Sequence, residues 1–307
     1  PFFILAGNFL THGGVARRMI NFATSMVGHW YGGLGLAGVV ACALFAAVSG
    51  SSPATVVAIG SILLPAMVRA GFPNRFGAGV ISTSGALGIL IPPSIVMVMY
   101  SVATNTSVGA LFMAGVVPGI VLACVLGGVT WYRARKFDYP RQPKSSWGER
   151  WKTFRASMWG LLLIVVVMGG IYTGIFTPTE AAAMSAVYAF IVAVFIYKDM
   201  GLKDVPKVLL NSANMSAMLL YIITNAVLFS FIMTNENIPQ ALADWMLGNG
   251  LGMIAFLLAV NVLLLLAGNF MEPSSIVLIF APILFPVAMK LGIDPVHFGI
   301  IMVVNME

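Results

Sequence analysis

Long stretches of this chain run without a single charged side chain for about the length of a membrane-spanning helix, and this limits its fold more than any motif does. They cover 19–68, 76–132, 156–179, 181–197, 208–235 and 245–271. A helix needs about 20 apolar residues to cross a hydrocarbon core of about 30 Å. Strands of a membrane barrel would instead alternate over about ten residues, and these runs do not. Only 8% of residues are charged and 60% are hydrophobic, against roughly 25% charged in soluble domains. The expected fold class is an all-α integral membrane protein with the lipid bilayer as its solvent.

The net charge of +6 does not indicate nucleic acid, because Lys and Arg lie between apolar runs with no aromatic interleaving. Cys42 and Cys124 both sit within apolar runs, which suits buried, unpaired thiols better than a disulfide or metal frame. Ser51 could serve as a nucleophile, yet His12, His29 and His297 form no recognisable dyad with it, so an enzyme is not expected. There is no initiator Met, and both PFFILAG at the start and IIMVVNME at the end are apolar. The sequence therefore reads as a fragment of a longer chain.

Treating the two Ser/Pro-interrupted runs as re-entrant hairpins sorts the charges. Arg17, Arg18, Arg69, Arg75, the eight cations of 133–155, Lys198, Lys203 and Lys207 then share one side, 15 of the 16 basic residues. Lys290 falls opposite, with Glu180, Glu236, Asp244 and Asp294. The positive-inside rule assigns the basic side to the cytoplasm. The segment RARKFDYPRQPKSSWGERWKTFR reads as an interfacial amphipathic helix with snorkelling cations.

The chain also repeats itself. At an offset of 220, Phe9 meets Phe229, Gly28 meets Gly248, Leu44 meets Leu264 and Pro53 meets Pro273; at 221, LLP at 63–65 meets LFP at 284–286, Arg69 meets Lys290 and Gly71 meets Gly292. Because the charge map puts Arg69 and Lys290 on opposite sides, the repeats are expected to be inverted, the arrangement of many secondary transporters. The expected organisation is a first repeat over 1–132, holding a scaffold helix, a hairpin at about 34–69, a broken helix at about 74–104 and a following helix. A cytoplasmic basic linker at 133–157 leads to a second repeat over 158–307, with a hairpin at about 251–290 and a truncated broken helix from about 295.

The interruptions carry the chemistry. Gly35 to Val48 makes roughly 21 Å of helix, short of a full crossing, and Ser52 before Pro53 reads as an N-cap with Pro at the first helical position. Ser49, Gly50, Ser51 and Ser52 would bring hydroxyls and close backbone approach to a turn inside the membrane, where freed backbone groups need a partner. That suits a small hard cation such as Na⁺; a helix kink healed by Ser side chains is the alternative. The break recurs as LLAGNFMEPSSIVLIF, where Asn269 and Glu272 precede Pro273. Glu272 is isolated in an apolar run, which marks a functional candidate, with N-capping as the competing role. In STSGALGILIPPS, Ser84 precedes Gly85 and Gly88, which would loosen the helix, and Pro92 and Pro93 remove donors. The offset pairs Ser84 with Asn305 and Gly85 with Met306. Half-helix N-termini facing carboxylates and unwound carbonyls facing Na⁺ predict an anionic substrate coupled to cations.

GFPNRFGAGVISTSGALGILIPPSIVMVMY, the tip SGSSPAT, TPTEAAA at 177–183 and FMEPSSIVLIFAPILFPVAMKLGIDPVHFGIIMVVNME together resemble the large membrane subunit of tripartite ATP-independent periplasmic (TRAP) transporters, over essentially the whole chain. The closest likeness is to the C4-dicarboxylate branch. The resemblance implies an elevator-type, Na⁺-driven importer in a bacterial or archaeal inner membrane. It further implies a small four-helix membrane subunit and a periplasmic substrate-binding protein that delivers an organic carboxylate. Carried over by position, Ser49, Gly50, Ser51, Ser52, Ser84, Gly85, Gly88 and Pro92 would form one Na⁺ site, and Asn269, Glu272, Asn305 and Met306 a second. Ser51, Ser52, Pro93, Ser94, Asn269 and Ser274 would contact substrate. The alternative is a Na⁺/carboxylate or anion transporter of a related inverted-repeat fold that works without a binding protein.

Overall fold

The computed structural model describes residues 1–248 and 252–306, apart from the side chains of Leu242, Ala243, Met246 and Leu247. Helices dominate, and no strand occurs among the described residues. They are α1 (Phe2–His12), α2 (Val15–Val27), α3 (Gly33–Ser49), α4 (Ser52–Arg69), α5 (Asn74–Gly85), α6 (Leu87–Leu90), α7 (Ile95–Thr104), α8 (Val108–Lys136), α9 (Trp147–Tyr172), α10 (Pro178–Ile191), α11 (Val205–Asn235), α12 (Ile238–Gly248), α13 (Met253–Gly268), α14 (Pro273–Lys290) and α15 (Pro295–Asn305). A π-helical turn, Val192–Ile196, extends α10. Among the described residues, six helices are long and apolar enough to cross a membrane, the extended α10 among them, while α1, α3, α13 and α15 are apolar but shorter.

The chain packs into two compact units, one of Pro1–Ser94 with Val116–Ala213 and the other of Ile95–Gly115 with Asn214–Glu307. In the first, α3 is the central element, buried along most of its length and in contact with α1, α2, α4 and α5. Phe45, Ile59, Leu63 and Met67 are almost fully buried in this core. In the second, α14 packs on α7, α12, α13 and α15. Tyr100 is fully buried there, its hydroxyl donating to the Pro295 carbonyl at 2.8 Å, and Gly299 leaves room for the Tyr100 ring. Between helices in lipid, such close packing and hydrogen bonding replace the hydrophobic drive of water.

The elements recur at the offset seen in sequence. Gly32 precedes α3 as Gly252 precedes α13; α4 and α14 each have 18 residues, with Pro65 and Pro286 inside them. Both end on a cation, followed by Gly71 and Gly292 at positive φ, a backbone that glycine adopts without strain. Pro73 caps α5 where Asp294 caps α15, and the Asp294 carboxylate accepts from the Val296 and His297 amides at 2.9 Å. The expected start of the second hairpin, at about 251, lies outside the described residues; α13 begins at Met253.

Two boundaries differ from expectation. No separate interfacial helix occupies 133–155: α8 runs on to Lys136 and α9 begins at Trp147, capped by the Ser146 hydroxyl, which accepts from the Glu149 amide. The non-helical stretch is 137–146. Nor do the compact units follow the repeat boundary, since 95–115 packs with the later residues through α7 and α14.

Candidate functional site

Two residues, Gly50 and Ser51, separate α3 from α4. Gly50 ends α3 in the left-handed region at φ 62°, and Ser51 is extended at φ −140°. The N-cap is therefore Ser51 and not Ser52, which already belongs to α4, and the Ser51 side chain makes no capping bond. What Ser51 supplies is its carbonyl. That oxygen accepts from the Thr55 amide at 3.1 Å and the Thr55 hydroxyl at 2.8 Å, and Ser49 Oγ lies 3.5 Å away. Ser49 and Thr55 share a hydrogen bond at 2.9 Å, wholly buried. From α1, Gly7 lies against the tip: a Cβ there would sit 3.3 Å from the Ser49 carbonyl oxygen.

The tip meets the end of α5 and α6, as the sequence suggested, but the glycines serve a different purpose. Gly85 and Gly88 do not unwind the helix; α6 follows α5 after Ala86 alone, in the right-handed helical region. They let the backbones touch. A Cβ on Gly88 would lie 2.6 Å from the Ser51 carbonyl oxygen and 2.8 Å from Ser52 Cα, and one on Gly85 would collide with the Val56 side chain. The actual interruption is Ile91–Ser94, where Ile91 turns extended and the Pro92–Pro93 peptide is cis. Pro92, Pro93 and Ser94 are all buried.

One atom in this region is unsatisfied. The Ser84 hydroxyl is completely buried and has no hydrogen-bond partner among the described residues, an uncommon state for a buried polar group in a native fold.

The second unit presents a related tip with a different cap. Glu272, the N-cap of α14, accepts from the Ser275 amide at 3.3 Å on one carboxylate oxygen and from the Ser274 hydroxyl at 2.6 Å on the other. The capping role is thus present, on an exposed carboxylate. Asn269 and Asn305 each donate their side-chain amide to the carbonyl four residues back, Leu265 and Ile301, at 2.8 Å. Each keeps its amide oxygen unpaired among the described residues. Gly268, next to Asn269, packs on Met306: a Cβ there would sit 3.4 Å from the Met306 carbonyl oxygen.

The structure thus gathers Ser49, Gly50, Ser51, Ser52, Gly85 and Gly88 in the first unit, with Ser84 one residue from Gly85. In the second it gathers Glu272 with Ser274, and the Asn269 end of α13 with Met306. Thr55 was missed. Its signal was present, four residues after Ser51 on a helix whose first turn must satisfy itself, but its partners depend on the tip conformation. Gly7 had no local signal, because its contact spans 42 residues of sequence.

The model for the family described as "Tripartite ATP-independent periplasmic transporter, DctM component" matches residues 1–307. The chain is 74% identical to the C4-dicarboxylate TRAP transporter large permease protein DctM of Rhodobacter capsulatus, across all of this chain and 73% of that protein. It is 59% identical to the protein of the same name from Pseudomonas aeruginosa, over all of this chain and 72% of the relative. The sialic acid TRAP transporter large permease protein SiaM of Vibrio cholerae is 37% identical over the same shares. A chain whose described residues include six helices long and apolar enough to cross a membrane, and that matches along its full length, belongs to the DctM-component family of tripartite ATP-independent periplasmic transporters, multi-pass proteins of the bacterial inner membrane.

Proposed function

We propose that this chain is the large membrane subunit of a Na⁺-driven C4-dicarboxylate importer, supplied by a periplasmic substrate-binding protein and completed by a small four-helix membrane subunit. The substrate class is supported by the names of the relatives at 74% and 59% identity, and the need for two partners by the tripartite family description. Recurrence of the same elements at an offset of 220–221 supports inverted repeats with re-entrant hairpins, the framework of an elevator.

The observation that carries Na⁺ coupling is the orphaned Ser84 hydroxyl, one residue from the Gly85 that packs on the helix leaving the neutral, oxygen-rich tip. Hydroxyls of Ser49, Thr55 and Ser84 and the Ser51 carbonyl are hard donors without net charge. Affinity for hard cations rises with ligand charge, so such a set favours a monovalent ion held weakly enough to be released. Na⁺ is cargo here, moving with the substrate. In the second unit the amide oxygens of Asn269 and Asn305, with the Glu272 carboxylate, are the corresponding donors. Within the first unit the helix N-terminus at Ser52, and within the second that at Ser274, offer first-turn amides and the helix dipole to a substrate carboxylate, with Ser51, Pro93 and Ser94 as further candidate contacts in the one and Asn269 in the other.

Succinate uptake into proteoliposomes holding the complete transporter tests this. Uptake should require an inward Na⁺ gradient and the binding protein. Ser84→Ala should raise the Na⁺ concentration for half-maximal uptake severalfold with no loss of thermal stability, since it removes an oxygen that has no protein partner. An unchanged Na⁺ activation curve would remove Ser84 from the site, and full uptake without the binding protein would replace the tripartite reading with the stand-alone one.

A further inference from the structure

Away from the hairpin tips, the first unit carries an open apolar groove of about 570 Å³ between α3 and α8. Leu36, Val40 and Leu44 form one side and Ile120 and Ala123 the other, and two tryptophans, Trp30 and Trp131, line one end. Along α8 the groove runs from Ile120 to Trp131, roughly 16 Å at the helical rise. That is about half a hydrocarbon core, the depth of one leaflet. Gly127 and Gly128 keep it open: a Cβ on Gly128 would meet nothing within 4 Å.

Cations stand beyond the tryptophan end. The Arg135 guanidinium lies 5.4 Å over the Trp131 ring, and that of Arg141 lies 3.9 Å over Tyr31, the neighbour of Trp30. Neither arginine forms an ion pair among the described residues, whose bridges join Arg17 and Arg18 to Asp199 and Lys290 to Asp244. An apolar trough one leaflet deep, then an aromatic rim, then unpaired cations repeats the order of acyl chain, interface and phosphate in a phospholipid. Aromatic residues favour that interface, and basic pockets between membrane helices on the cytoplasmic side hold anionic headgroups.

We propose that this groove binds an anionic phospholipid of the cytoplasmic leaflet, its acyl chain along α3 and α8 and its phosphate on Arg135 and Arg141. The leaflet follows from the positive-inside rule; the site does not depend on the substrate or on Na⁺. A partner helix could fill the trough, but two guanidiniums without carboxylates call for an anion, which the lipid carries in the right place.

Cys124 reports on occupancy, because it lines the groove and is exposed whereas Cys42 is buried. In the complete transporter, with other exposed cysteines replaced by Ser, maleimide modification of Cys124 is timed in neutral detergent with added dioleoylphosphatidylglycerol or dioleoylphosphatidylcholine. Phosphatidylglycerol should slow the reaction roughly tenfold more than phosphatidylcholine, and each of Arg135→Gln and Arg141→Gln should cut that preference about fivefold. As a second measurement, Gly128→Leu should abolish retention of phosphatidylglycerol in native mass spectrometry, since the added side chain enters open space and fills the groove. Equal slowing by both lipids, slowing by neither, or protection that survives complete delipidation, as a protein partner would give, overturns the proposal.

Discussion

At the residue scale, the first tip is organised around the Ser51 carbonyl and the buried Thr55 hydroxyl that holds it. Thr55→Val keeps the volume but deprives Ser49 and Ser51 of a partner, a loss of about 1–3 kcal/mol for a buried group left unsatisfied. Thermal unfolding of the purified transporter should show it, and Thr55→Ser should restore both stability and Na⁺ activation. Gly88 offers a second contrast. Gly88→Ala forces a methyl into the backbone of Ser51 and Ser52 and should abolish Na⁺-driven uptake, whereas Gly79→Ala, facing open space on the preceding helix, should be neutral or stabilise by up to ~1 kcal/mol. Radiolabelled uptake normalised to folded protein checks both. Ser49, Ser51 and Gly88 were legible because Gly, Ser and Pro seldom interrupt apolar helices without reason. The cap was misread by one position because Pro53 draws attention to the residue before it, while the extended backbone that defines the cap belongs to Ser51.

At the element scale, the two helix pairs differ on both sides of their turns: α3 ends on Gly50 in the left-handed region and α13 on Asn269 in the right-handed helical region, and only the second return helix has a side-chain cap, the Glu272 carboxylate. Glu272→Gln retains an oxygen for the Ser275 amide, so melting should stay close to wild type, while Glu272→Ala should cost about 1 kcal/mol as caps generally do. The Na⁺ activation curve of Glu272→Gln should move to higher concentration; coincident curves would leave Glu272 with capping alone. Element lengths and the pairing of α4 with α14 could be read from hydropathy and the offset, since proline and glycine fix where helices stop. The fate of 133–155 could not, because a charged segment that continues a membrane helix has the same composition as one lying on the surface.

At the scale of the whole molecule, 15 of 16 basic residues on one side of the expected charge map make topology the sharpest test. A cysteine placed beside Lys144 should react with an impermeant maleimide only from the cytoplasm, and one beside Glu236 only from the periplasm; reaction of both from one side would make the repeats parallel. Local patterns could not show how the chain divides into compact units, because residues 95–115 join the later part through contacts distant in sequence. That division bears on how the protein responds to cutting. The longest non-helical stretch among the described residues, 137–146, separates the two sequence repeats, yet both α9 and the adjoining part of α8 belong to the first unit. Passage from one unit to the other occurs between α6 and α7, within α8 and again within α11. A protease site inserted at 142–145 should therefore nick the chain completely without releasing either piece, and the two fragments should co-purify in detergent and, expressed as separate genes, reassemble into a working permease.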